Sequence, residues 1–113
     1  MRLFTLLIFL AFFGKGIFAQ TASISVKVSA TGAPVDAATV SLLYAADSTW
    51  IRAEITDEKG MASFRGVALG RYIVTASFVG HKTGMQPIEL IEAREYTSSI
   101  ELQKESTSLS EVA

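Results

Sequence analysis

The sequence predicts an all-β sandwich of about seven short strands, following an N-terminal export signal. Three observations support this. Apolar and polar residues alternate in run after run. Glycine, proline and aspartate clusters end the runs at roughly every 8–12 positions. No window of helical length carries a helical apolar period.

The leader comes first. "MRLFTLLIFLAFFGKGIFAQ" opens with Arg2, continues apolar from Leu3 to Phe13 except for Thr5, and reaches small Ala19 before Gln20. That order is a secretory signal peptide over residues 1–19, with cleavage after Ala19. The competing reading is a membrane anchor. A spanning helix needs about 20 apolar residues, and Gly14, Lys15 and Gly16 break this run short of that. Export takes 19 of the 113 residues and leaves 94. It removes Arg2 and Lys15 from the 10 basic residues, so 8 face 11 acidic ones, a net charge near −3. A mildly acidic chain without a basic stripe argues against a nucleic-acid partner. There is no cysteine, so neither a disulfide nor a thiol for lipidation is available.

The mature chain reads as β in order. In "SISVKVS", Ile24, Val26 and Val28 point one way and Ser23, Ser25, Lys27 and Ser29 the other. A turn built on Gly32 and Pro34 follows. In "TVSLLY", Val40, Leu42 and Tyr44 share a face. In "WIRAEIT", Ile51, Ala53 and Ile55 are expected inside, which places Trp50 outward. "TDEKG" reads as a hairpin turn, with Asp57 binding backbone N–H groups ahead of it and Gly60 taking positive φ. "MASF" and "RYIVTASFVG" are the next strands. "RGVALG" joins them, with Val67 plugging the core and Gly70 launching the strand that carries Tyr72, Val74, Ala76 and Phe78. "IELI" and "YTSSIEL" close the set. A transmembrane barrel is rejected, because its strands need about 9–11 residues and most runs here are shorter.

These residues carry a family resemblance. From Ser23 to about Gln103 the chain resembles the carboxypeptidase regulatory-like domain. That resemblance implies a transthyretin-like or immunoglobulin-like β-sandwich. Gly32, Pro34, Ala38, Val40, Leu42, Thr56, Asp57, Gly60, Phe64, Val67, Gly70 and Tyr72 fill the family's pattern. Ala62 and His81 stand where aromatics are usual. The sandwich is assigned to residues 20–104. A polar linker, 105–113, holds "LSEV", with Leu109, Glu111 and Val112.

In order and spacing, signal, sandwich and L-x-E-V resemble the front of a TonB-dependent outer-membrane receptor. The resemblance implies a non-catalytic accessory domain in the periplasm or outer membrane, and a fragment lacking plug and barrel. Its partners would be that plug and barrel or a TonB-like energy-transducing periplasmic protein. Leu109, Glu111 and Val112 would pair with the latter by strand addition. The alternative is a free secreted module that binds a protein or glycan, for which Trp50, Arg52, Met61, Phe64 and Tyr72 are candidates.

Residues for chemistry are scarce. His81 is the single histidine, too little for a zinc site. Asp57 and Glu58 are too few for a calcium loop and suffice as a turn. No serine sits in a Gly-x-Ser-x-Gly elbow, and Ser63 and Ser77 read as solvated surface. Some transthyretin-like sandwiches hydrolyse purine breakdown products, but that family depends on histidine and arginine clusters and a "YRGS"-type end. No enzyme, cofactor or metal is expected.

Overall fold

The computed structural model describes residues 20–105. They form eight strands and no helix: β1 (Thr21–Ala30), β2 (Ala33–Pro34), β3 (Thr39–Tyr44), β4 (Trp50–Ile55), β5 (Met61–Ala68), β6 (Gly70–Ser77), β7 (Gly84–Leu90) and β8 (Glu95–Leu102). The expected leader over 1–19, and Leu109, Glu111 and Val112, lie outside the described residues.

Two sheets stack face to face. The first has the order β2-β1-β5, with β8 pairing the other side of β1. The second has the order β4-β3-β6-β7. β1 and β8 run parallel in unbroken register from Ser23↔Glu95 to Ala30↔Leu102; the other pairings are antiparallel. Glu101 straps the start of the turn to β8: its two carboxylate oxygens accept from Ser29 Oγ at 3.0 Å and Gly32 N at 3.3 Å.

The core lies between the sheets, and alternation builds it. Ile24, Val26 and Val28 of β1, Val40 and Leu42 of β3, Phe64 of β5 and Val74 of β6 are fully buried. Tyr72, Ala76 and Val67 join them, and Phe78 packs on the rim. The expected inward faces of these strands are therefore the observed ones. Ser63 and Ser77 face solvent.

The turn of Thr31 and Gly32 joins β1 to β2, with Ala30 opposite Ala33. Both turn residues have positive φ, 50° and 79°, which is the two-residue turn that suits the twist of a hairpin. Pro34 is not a turn residue here. It pairs with Ser29 in β2.

The segment Asp57–Gly60 is a turn of the expected kind in an unexpected place. Asp57 Oδ1 accepts from Lys59 N at 2.8 Å and Met61 N at 3.0 Å. Gly60 has φ +78°. The turn is not a hairpin, however. β4 and β5 lie in different sheets, so the segment carries the chain across the sandwich. Local turn chemistry is the same in both cases; only the destination of the next strand differs.

The backbone N–H groups, above all that of Met61, hold the Asp57 carboxyl below its ordinary 3.8. A carboxyl with a lowered folded-state pKa stabilises the fold above its unfolded pKa. That stability is lost as pH falls through the folded value. Asp57→Asn is therefore expected to unfold with a shallower acid-side dependence than the parent. Thermal midpoints between about pH 5 and pH 2 check it; parallel profiles would show that the turn does not use the charge.

The "RGVALG" segment is also corrected. It is not a loop, since β5 continues through Ala68 and Gly70 begins β6. Between Ala22↔Val67 and Ile24↔Phe64, β5 holds one more residue than β1. This is a β-bulge, and Gly66 with φ +65° occupies it. A left-handed glycine is what one common bulge type requires.

Tyr72 then locks the corner. Its hydroxyl donates to Ala68 O at 2.6 Å, bonding back over the turn to the last residue of β5. Burial pushes its hydroxyl pKa up. Similar corners, with a tyrosine bonding the backbone a few residues upstream, recur in sandwich folds.

Thr56 is the buried polar group that ties the sheets' connections together. It is 3% exposed. Its Oγ1 accepts from Ala38 N at 2.8 Å and donates to Val35 O at 2.7 Å. Thr56→Val keeps the shape but leaves a buried donor and acceptor without partners. It is expected to cost about 2 kcal/mol or more, read by equilibrium denaturation. A loss within a few tenths would mean that water replaces both bonds.

Candidate functional site

The two outer faces of the sandwich differ in character. On the first sheet, Ser25 and Ser29 stand beside Glu95 and Glu101, and Ser25 Oγ donates to Glu95 Oε2 at 3.1 Å. Lys27 faces Ser99 in the same layer. This is the polar, solvated face expected of an antiparallel sandwich.

The second sheet breaks that pattern. Registers Leu43↔Trp50, Leu43↔Ile73 and Ile73↔Pro87 place four apolar side chains in one row across β4, β3, β6 and β7. The next row holds Ala53, Ser41, Thr75 and Met85. Trp50 is 59% exposed, Ile55 59% and Met85 62%. At one border, Arg71 Nε and Glu89 Oε2 lie 3.4 Å apart; such an exposed pair adds little stability. Within the first row Trp50 and Pro87 are exposed and Leu43 and Ile73 half-buried, which makes this outer face a candidate interaction surface.

Trp50 points outward as expected, but for a different reason. Ala53 and Ile55 were expected inside; they face out instead. The register explains this. Leu42 opposes Arg52 while Leu43 opposes Trp50, so Ile51 is an extra residue in β4. This bulge places Ile51 and Arg52 both toward the interior. Ala53 then pairs with outward Ser41, and Ile55 with Thr39. A one-residue change in register exchanges the two faces of a strand.

A second feature lies where β4 and β5 meet across the sandwich. A cavity of about 200 Å³ opens there, lined by Leu42, Tyr44, Ile51, Arg52, Val67 and Tyr72, with Gly66 at its edge. Tyr44 and Tyr72 stack with ring centroids 5.7 Å apart and planes at 29°. The Arg52 guanidinium sits 5.7 Å from the Phe64 ring centroid. Its Nη2 donates to Arg65 O, and its Nε is buried with no acceptor. Phe64 and Tyr72 are core residues, which corrects the expectation that they belong to a binding surface; Met61 is half-buried. Sequence reasoning missed the cavity because neither bulge can be read from alternation.

His81 lies in the β6–β7 loop, its ring tilted against Phe78 and its Nδ1 3.1 Å from Val79 O. Among the described residues no group of three or more histidine, cysteine, aspartate and glutamate side chains is placed to hold a metal ion. Of the turn residues singled out from sequence, Asp57 and Gly60 share one turn, Gly32 and Pro34 share the β1–β2 hairpin, and Gly70 starts β6. They do not converge on one site.

Comparison with known proteins agrees with this architecture. Among solved structures, a minor pilin of Streptococcus agalactiae superposes with a TM-score of 0.68 at 18% identity, over 80% of this chain and 48% of the pilin. The match thus spans about half of that protein's length. A Pseudomonas aeruginosa protein named as a candidate carbohydrate-binding protein superposes with a TM-score of 0.59 at 10% identity, over 79% of this chain and 93% of that one. Catechol 1,2-dioxygenase of an Acinetobacter species gives 0.63 at 14% identity, over 82% and 55%. At these identities the likeness is one of fold alone. No curated protein matches. The model of the carboxypeptidase regulatory-like domain matches residues 23–103. With the alternating strands, the Asp57–Gly60 turn and the Tyr72 corner all in place, the chain belongs to the carboxypeptidase regulatory-like domain family.

Proposed function

We propose that this β-sandwich is a non-catalytic accessory domain at the front of an exported outer-membrane receptor of the TonB-dependent type. The observation that carries the reading is the apolar row Trp50–Leu43–Ile73–Pro87 on an outer sheet face. A face of this kind suits docking against another folded body better than chemistry. In this reading the body that covers it is the plug and barrel of the same receptor. The leader over 1–19 supports export, and Leu109, Glu111 and Val112 support strand pairing with a TonB-like periplasmic protein.

The second reading is a free secreted module that binds a protein or glycan. Trp50, 59% exposed on an outer sheet face, favours it. Genomic sequence beyond codon 113 separates the two. An open frame that encodes a plug, then alternating strands of about ten residues, is expected for the receptor. A stop with no barrel downstream overturns it in favour of the free module. Cleavage of an ester, peptide or ureide by the purified chain would remove both.

A further inference from the structure

We infer that the cavity between β4 and β5 binds a small carboxylate with an aromatic or aliphatic body, held by Arg52. This does not rest on the receptor reading, since it concerns the opposite side of β4 from the apolar row.

Two edge strands from different sheets meet at this seam, and each carries a bulge there. In β4 the bulge turns Ile51 and Arg52 to the same side. In β5 it places Gly66 beside Val67. Both bulges border one cavity. Bulges commonly sit beside binding sites, where they re-aim side chains. An alanine Cβ at Gly66 would have no atom within 4 Å, so the glycine is not needed there to avoid a neighbour.

The chemistry of the cavity is that of a monoanion site. Among the described residues Arg52 is the only charged side chain in its wall. Among the described residues no carboxylate lies within ion-pair distance of it. Among the described residues its one acceptor is Arg65 O; Nε is buried without any and closed to solvent, so the donors open to a ligand are the remaining Nη protons. A partly buried cation with unused donors is costly until an anion joins it. The guanidinium fork suits a carboxylate, which can take two parallel hydrogen bonds. Leu42, Ile51 and Val67 supply apolar wall, and the Tyr44–Tyr72 pair supplies a flat one. A phosphate dianion fits worse, because among the described residues no second cation lines the wall. The volume of about 200 Å³ falls below the usual range of about 300–1,000 Å³ for drug-sized ligands. It admits one ring or a short chain.

Such a carboxylate has two sources, a free acid or the C-terminus of a peptide. Two-dimensional NMR of the isotope-labelled chain distinguishes them. The probes are hydrocinnamate and its amide, and acetyl-Gly-Phe with a free or an amidated end. Saturable shifts are expected at Ile51, Gly66, Val67 and the Arg52 Nε–H with an acid. The matching amide should bind about tenfold more weakly or worse, as loss of a charge-assisted bond implies. Response to hydrocinnamate alone assigns a free acid, and response to the peptide alone assigns a chain end. Arg52→Lys should weaken binding while leaving the thermal midpoint near the parent's. If that variant unfolds, the acid–amide comparison on the unaltered chain still decides. Equal shifts with acid and amide, or no saturable shift with either acid, overturn the assignment.

Discussion

Gly60→Ala is expected to destabilise the domain by about 2–5 kcal/mol, the sum of a left-handed backbone penalty and an overpacking term. Gly60 has φ +78°, and a Cβ there would lie 2.5 Å from Val28 O and 3.1 Å from Pro34 Cβ. The first neighbour is backbone in the centre of the first sheet. It cannot move aside as a side-chain tip could, because Val28 O also accepts from Val35 N at 3.0 Å. Val28 N in turn accepts nothing but donates to Gly60 O at 2.8 Å. The glycine is thus held against β1 by the strand it approaches. Gly66→Ala is the control: it has φ +65° and open space around the added atom, so only the backbone penalty of about 1–2 kcal/mol applies. Denaturant unfolding of the two variants beside the parent measures the difference. Equal losses would show that β1 yields and that the close approach costs nothing.

Phe64→Ala is expected to cost about 3–5 kcal/mol. Phe64 is fully buried and heads the largest side chains of the core. It stands in β5 opposite Ile24, and Arg52 covers its ring from the second sheet. Its removal leaves a cavity between two stacked sheets, whose hydrogen-bonded strands cannot close over it. A domain of this size has a total stability of about 5–15 kcal/mol, so the variant should lie near its unfolding transition at ambient temperature. Calorimetry or guanidinium titration reads it. A loss under about 1 kcal/mol would mean that Arg52 and Ile51 collapse into the space. That result would also bear on how readily the neighbouring cavity changes shape.

Much of this protein was legible in advance. The strands carrying Ile24, Val26 and Val28, and Tyr72, Val74 and Ala76, bury the residues that alternation assigns to the core. Both are interior strands of their sheets, paired on two sides, and such strands have little freedom of register. Asp57 and Gly60 make the turn that their types predict. The errors gather at strand ends and edges. Ala53 and Ile55 look like core residues, yet the bulge at Ile51 turns them out. "RGVALG" looks like a loop, yet bulged β5 runs through most of it. An edge strand is paired on one side only, so an inserted residue disturbs fewer hydrogen bonds.

By itself the sequence determined the all-β class, the inward residues of the central strands, the chemistry of the turns and the family. Those follow from period-two alternation and from backbone conformations that only certain residues adopt, both local properties of the chain. Tertiary structure alone decided that Asp57–Gly60 crosses between sheets, that β8 joins β1 in parallel, and that Trp50, Leu43, Ile73 and Pro87 line up in one row. It also decided that Arg52 faces inward beside two tyrosines. These depend on which strand lies beside which and in what register. That choice is made by packing between residues far apart in sequence, and no short stretch of the chain contains it.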